Sequence, residues 1–193
     1  IKFAGIETDW IHALRHAFFQ VISVGTTTGF ASADTSIWPS FSILLLIYFT
    51  LQCACSGSTS GGIKVDRVLI FYKAFKAQIK KQIHPNAIVS VKLGGHTLDK
   101  EMVTSTALFI VLYLFIVFIV TVILTFLGVE LFDAFTASAA NMGNVGPGFG
   151  SVGSLGNYSQ IPALGKFVLS VQMLLGRVEI YSMLLIVLVF RKR

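Results

Sequence analysis

The sequence predicts an all-α membrane protein assembled from helix, re-entrant loop, helix units. Three observations carry that prediction. Of 193 residues, 54% are hydrophobic and only 12% are charged, with a positive mean hydropathy; this is far more apolar than an ordinary soluble domain, so lipid is the expected solvent. Long windows are free of charge, and a spanning helix needs about 20 mainly apolar residues to cross a hydrocarbon core of roughly 30 Å. One segment, Ala134 to Gly165, has no charge and seven glycines, too short of polar residues for a free loop and too rich in Gly for a full helix.

The chain begins at Ile1 without a signal-peptide pattern and reads as a piece of a longer protein. Trp10 to Ala33 gives a short apolar half-helix that runs into the run GTTTGF at Gly25 to Phe30. After Pro39 comes the first apolar window, Ile37 to Cys55, with its core ILLLIYFTL. Cys53 and Cys55, two apart at its end, are expected to be small buried thiols rather than a disulfide or metal pair. The run SGSTSGG at Ser56 to Gly62 then interrupts what would be one spanning helix, because seven small residues with two adjacent glycines hold a helix poorly.

Net charge is +6, and its placement matters more than its sign. Lys64, Arg67, Lys73, Lys76, Lys80, Lys81, Lys92 and Lys100 fall in one stretch, and Arg191, Lys192 and Arg193 close the chain. The positive-inside rule puts both regions in the cytoplasm. No aromatic-interleaved basic groove accompanies them, so nucleic acid is not an expected partner. The stretch after Lys64 is expected to be an amphipathic helix lying at the membrane surface. His84 and His96 sit in this stretch as solvated or boundary residues.

Ala107 to Val129, inside the charge-free interval between Glu101 and Glu130, is a spanning helix. With Lys100 and the C-terminus inside, Glu130 to Gln160 lies outside. This segment reads as a half-helix, Leu131 to Met142, and an extended return, Gly143 to Gly156. Non-helical backbone at membrane depth survives only when buried in protein or lining a watery cavity. The last window, Ile161 to Phe190, is interrupted by Arg177 and Glu179.

Setting Gly29 against Gly146 aligns Thr27-Thr28-Gly29 with Asn144-Val145-Gly146. Each half-helix leads into a glycine turn and then, after Pro39 or Pro162, into an apolar helix: an internal repeat of architecture in the order helix, loop, helix. The first unit lacks its opening helix, which would precede Ile1. Re-entrant half-helices that end in a glycine-flanked extended strand suit a cation filter, because backbone carbonyls must replace the ion's water. Glycine lets those carbonyls face one axis, and the negative end of each half-helix favours a cation there. The candidate ion-binding residues are therefore Thr27, Thr28, Gly29, Asn144, Val145 and Gly146, with Thr27 and Asn144 able to add side-chain oxygen.

Competing chemistry fits less well. Ser58 and Ser60 among glycines suggest an intramembrane serine protease, but no apolar window contains the histidine it needs. Gly57 and Gly62 are not followed by the Lys-Ser or Lys-Thr pair of a phosphate loop. A secondary transporter with discontinuous helices remains as the alternative, although two units of the same orientation favour a channel-like path. His12 and His16, at i and i+4, lack a third metal ligand nearby. Arg177 sits within an apolar window, where a charge costs roughly 2.5 to 3.5 kcal/mol on insertion scales unless it faces protein or water. Glu179, two residues away, points to another face and is a poor partner.

At GTTTGF (Gly25 to Phe30), SGSTSGGIKVDR (Ser56 to Arg67), IHPNAIVSVKLGG (Ile83 to Gly95), GNVGPGFG (Gly143 to Gly150) and LLGRVEIYS (Leu174 to Ser182) the chain resembles the Trk/Ktr/HKT superfamily of potassium transporters, in particular the C-terminal half of a bacterial TrkH-type subunit. The resemblance implies helix, pore-loop, helix repeats of a potassium-channel-like pore. Residues 1–82 would be the third repeat, 83–100 a cytoplasmic connection and 101–193 the fourth. It implies that Ser56, Gly57, Ser58, Thr59, Ser60, Gly61 and Gly62 form an intramembrane gate below the filter. Arg177, opposite Ala54 when Pro39 is aligned with Pro162, would stand with that gate in the permeation path. It further implies potassium as substrate with no cofactor in this segment, a homodimer, cytosolic TrkA-type nucleotide-binding regulatory subunits, and residence in the bacterial cytoplasmic (inner) membrane.

Overall fold

The computed structural model describes residues 1, 5–6, 9–53, 55, 57–58, 60–85 and 90–178. Among the described residues six α-helices dominate: α1 (Trp10–Gly25), α2 (Ser40–Leu51), α3 (Val65–Ile83), α4 (Lys100–Phe126), α5 (Leu131–Gly143) and α6 (Ala163–Arg177). Between α3 and α4 stands a two-residue-stranded hairpin, Lys92–Leu93 against His96–Thr97, turned by Gly94 and Gly95 at φ 57° and 87°. Positive φ at both central residues is what a tight hairpin turn needs, and the adjacent glycines supply it.

Among the described residues one helix, α4, is long and apolar enough to cross a membrane. Its inward face, Tyr113, Val117, Val120 and Leu124, is buried, while its outward face exposes Leu108, Val111, Phe115, Phe118 and Val122. A helix that is apolar all round belongs in lipid or in a core. The half-helix α5 lies against α4, α6 and α2 and is buried from Asp133 to Gly143 apart from the half-buried Phe135. Ala134, Ala137, Ser138, Ala139 and Ala140 let those neighbours approach closely, which is how helices associate where burial from water provides no drive. A buried polar chain adds to this: Gln172 Nε2 donates to Ser138 Oγ at 2.8 Å, and Ser138 Oγ donates to the Val117 carbonyl at 3.0 Å, tying α6 to α5 to α4.

Pro39 and Pro162 occupy the same place, immediately before α2 and α6, with φ −58° and −56°. Proline's fixed φ suits a helix start, where the missing N–H costs nothing. The window expected over Ile37 to Cys55 is helical only over Ser40–Leu51. At 1.5 Å per residue those 12 residues cover only about 18 Å, so α2 stops part-way and the chain breaks before α3.

The helix expected after Lys64 forms as α3, which packs on the start of α4: the Arg67 guanidinium lies 3.8 Å from the Phe109 ring, and Lys81 and Lys100 line one cavity towards the far end of α3. Ile63 and Val68 join Phe109, Ile110 and Tyr113 in one apolar cluster, so α4 supplies part of the wall that the apolar side of α3 needs. One expectation is corrected. The two cysteines differ. Cys53 is buried, its Sγ donating to the Thr50 carbonyl at 2.9 Å, whereas Cys55 is exposed; both are free thiols.

Candidate functional site: two helix ends, a broken helix and Arg177

The half-helices α1 and α5 end in the same way. Thr27 and Asn144 are the described non-glycine residues with positive φ, both at 57°, and they stand 117 positions apart (144 minus 27). The Thr27 N–H donates to the Val24 carbonyl and the Thr28 N–H to the Ser23 carbonyl, at 3.1 and 2.9 Å. The Asn144 N–H donates to Asn141 and the Val145 N–H to Ala140, again at 3.1 and 2.9 Å. Each set is a Schellman closure, which ends a helix and turns the chain back along it. Asparagine tolerates the left-handed region; threonine, branched at Cβ, does so at a cost of about 1–3 kcal/mol. Two residues on, Gly29 and Gly146 are left-handed as well, at φ 76° and 105°.

The two returning strands touch. A methyl group at Gly29 would overlap the Val145 carbonyl oxygen and come within 3.1 Å of Pro147 Cδ. Ser154 crosses between the units: its Oγ donates to the Ala33 carbonyl at 3.2 Å and accepts from the Thr35 N–H at 3.1 Å. The return of the second unit is anchored by Asp133, a buried carboxylate in the first turn of α5. It accepts from the Ser151 N–H at 3.3 Å and from the Ser151 hydroxyl, while Thr136 Oγ1 donates to the Phe149 carbonyl at 3.0 Å. A carboxylate at a helix N-terminus is favoured by the helix dipole.

The interruption between α2 and α3 is a loop closed at its base. The Ile63 N–H donates to the Leu51 carbonyl at 3.0 Å, and Ser58 and Ser60 hydroxyls bond each other at 2.8 Å. Gly57 and Gly62 are left-handed, at φ 83° and 81°. Gly61 lies against the foot of the second returning strand, where an added Cβ would meet Asn144 Nδ2 at 2.7 Å and the Gly143 carbonyl oxygen at 2.8 Å. From the other side Gly176 of α6 approaches the same place, its added Cβ overlapping the Met142 carbonyl oxygen and lying 2.9 Å from Asn144 Nδ2. Asn144 Nδ2 donates to the Met173 carbonyl at 3.3 Å. Its amide nitrogen thus serves as a strut joining strand, loop and α6.

Arg177, next to Gly176, shares a cavity of about 230 Å³ with Ser58, Ser60, Gly62, Lys64, Arg67 and Phe109. The sequence-predicted residues Thr27, Thr28, Gly29, Asn144, Val145, Gly146, Gly57, Ser58, Ser60, Gly61, Gly62 and Arg177 therefore fall in one connected region. Ser56, Thr59 and Glu179 lie outside the described residues. The Gly146 carbonyl, one of the expected ion ligands, accepts a hydrogen bond from the Tyr158 hydroxyl at 2.7 Å. His16 Nδ1 lies 3.0 Å from Ser32 Oγ. Sequence reading passed over Asp133, Asn141 and Tyr158. Asp133 carried a usable signal, as the single charge between Glu130 and Lys166 in a segment otherwise uncharged.

A family model described as TrkH, cation transport protein, matches residues 9–191. The chain belongs to the TrkH family. It is 35% identical over 180 residues to the Trk system potassium uptake protein TrkH of Halomonas elongata, covering 93% of this chain and 37% of that protein. To the protein of the same name from Escherichia coli K12 it is 35% identical over 186 residues, covering 95% of this chain and 38% of that one. The crystal structure of the potassium transporter TrkH from Vibrio parahaemolyticus superposes with a TM-score of 0.85 at 33% identity, over 93% of this chain and 38% of that one. This TrkH-family chain thus spans under two fifths of the length of these relatives, and its fold is that of an all-α membrane protein.

Proposed function

We propose that the chain supplies two of the helix, pore-loop, helix repeats of a potassium-translocating pore, residues 1–82 and 101–193 joined by 83–100. Potassium sheds water at carbonyls of Thr27, Thr28, Gly29, Asn144 and Val145, with Gly146 contributing whatever its bond to Tyr158 leaves available. The observation that carries this reading is the pair of left-handed breaks at Thr27 and Asn144, made by identical hydrogen bonds and followed by strands in contact. Strain at a β-branched residue such as Thr27 argues for function, because nothing in folding alone requires it. The relatives named as potassium uptake proteins point to the substrate.

Passage is controlled by the loop Ser56 to Gly62 together with Arg177. The supporting facts are the contact of Gly61 with Gly143 and Asn144, and the cavity that Arg177 shares with Ser58, Ser60 and Gly62. A fixed positive charge beneath the filter opposes a cation by Coulomb repulsion, strongly where water is scarce. The subunit works as a homodimer in the bacterial cytoplasmic membrane, with TrkA-type nucleotide-binding subunits on its cytosolic face.

Tracer flux through liposomes containing the full-length protein tests this reading. Saturable, potassium-preferring flux that Gly146→Asp abolishes is the expected result. Absence of cation flux with the regulatory subunit present rejects it.

A further inference from the structure

Close to Gly29 and Gly146 a hydroxyl group braces each returning strand, but these two come from different parts of their units; the Thr136 hydroxyl acts further along the second strand, at Phe149. In the first, Ser23 of α1 donates its Oγ hydrogen to the Phe30 carbonyl at 2.6 Å. The corresponding residue of α5, 117 positions on, is Ala140, which has no hydroxyl to give. There the brace is Tyr158, in the 3-10 turn Tyr158–Gln160 that precedes α6. Its hydroxyl donates to the Gly146 carbonyl at 2.7 Å and accepts from Asn141 Nδ2 at 3.1 Å. Asn141 is itself fixed, buried and donating to the Ala137 carbonyl at 2.8 Å. Tyr158 packs against the buried apolar cluster that contains Val120, Leu124, Ala134 and Ile161. Asn157 holds the turn through the Ser159 N–H at 3.0 Å, and Lys166 Nζ donates to the Ser159 carbonyl at 3.3 Å. The turn exists because the second return is longer: Gly146 to Pro162 is 16 positions (162 minus 146), against 10 for Gly29 to Pro39 (39 minus 29).

We propose that Tyr158 is a positioning residue that sets ion discrimination, by holding the Gly146 carbonyl away from the ion and weakening it as a ligand. The proposal rests on the reading of these strands as an ion filter. Whether a filter selects by cavity size or by the number and field strength of its carbonyls, the bond acts in one direction. A carbonyl that accepts from a phenol is restrained from moving inward around a smaller ion, and part of its electron density is already engaged. Releasing it lets the site contract and strengthens its field, and both changes favour sodium more than potassium. Because the brace reaches Gly146 in one unit and Phe30 in the other, the two units make unequal contributions to the ring.

The test is Tyr158→Phe in the full-length protein, reconstituted in liposomes, with potassium and sodium tracer fluxes measured on the same preparation. The ratio of potassium to sodium flux is expected to fall about three- to tenfold, the net contribution of one hydrogen bond, chiefly through faster sodium flux. Replacement by 3-fluorotyrosine, a stronger donor on a nearly identical ring, is expected to keep the ratio at or above the wild-type value, which a steric role alone would not predict for one variant and deny to the other. Asn141→Ser, which removes the anchor of the phenol and leaves Tyr158 in place, should lower the ratio in the same direction and carries the test if Tyr158→Phe does not fold. An unchanged ratio in a folded variant, or potassium and sodium fluxes falling in equal proportion, overturns the proposal. Wild-type liposomes without any cation flux overturn the filter reading beneath it, and the silent wild type distinguishes that failure from the first.

Discussion

Gly61→Ala isolates the contact between the interrupting loop and the strand foot. Gly61 does not have a left-handed φ, so alanine brings no backbone strain there, and the consequence is steric alone. The new methyl would sit 2.7 Å from Asn144 Nδ2 and 2.8 Å from the Gly143 carbonyl oxygen, where ordinary contact begins at 3.4 Å. The loop must therefore recede by about 0.7 Å (3.4 minus 2.7) from a backbone atom and a bonded amide that cannot swing aside. Overpacking of this kind costs roughly 1–3 kcal/mol. The seated loop is thus weakened by on the order of 1 kcal/mol, about a fivefold shift toward the displaced position. Tracer rubidium uptake by liposomes carrying the full-length variant should rise by about that factor. Unchanged or reduced uptake in a folded variant would refute the assignment of this loop as the barrier.

Arg177→Ala should also raise flux, and the gain should shrink at high salt as screening replaces the lost repulsion; flux that is unaltered at low salt removes Arg177 from the gate. Gly29→Ala places a methyl on the Val145 carbonyl and forces alanine to φ near 76°; loss of potassium flux is expected, with a lower midpoint of thermal unfolding in detergent. Asp133→Asn keeps the size of the side chain but removes the charge that accepts from the Ser151 N–H and hydroxyl. It should cost about 1–3 kcal/mol and reduce the affinity for potassium, read from the concentration dependence of flux.

The sequence made much of this legible, and particular residues show why. The half-helix expected over Leu131 to Met142 is found as Leu131–Gly143, because its end is written locally by Gly143 and Asn144. The alignment of Thr27 with Asn144 anticipated a structural identity down to the hydrogen bonds, although the side chains differ, because the left-handed break is a backbone property. An interruption was legible from the composition of Ser56 to Gly62, although the helix already ends at Leu51, inside the apolar window. What was not legible depended on long-range contact. The packing of α3 on α4 brings Arg67 to Phe109, 42 residues on (109 minus 67), a pairing absent from the local amphipathic pattern. The hairpin at Gly94-Gly95 had a local signal in its adjacent glycines but was read only as a connection. The role of Asn144 as a strut depends on Met173, Gly61 and Gly176, three distant points that only the folded chain brings together.

Anomalous scattering from crystals of the full-length protein grown with rubidium or thallium in place of potassium addresses the filter directly. A peak bounded by the carbonyls of Thr27 to Gly29 on one side and Asn144 to Val145 on the other is the predicted result. Ordered ions elsewhere in the protein, with none between these two strands, would contradict it.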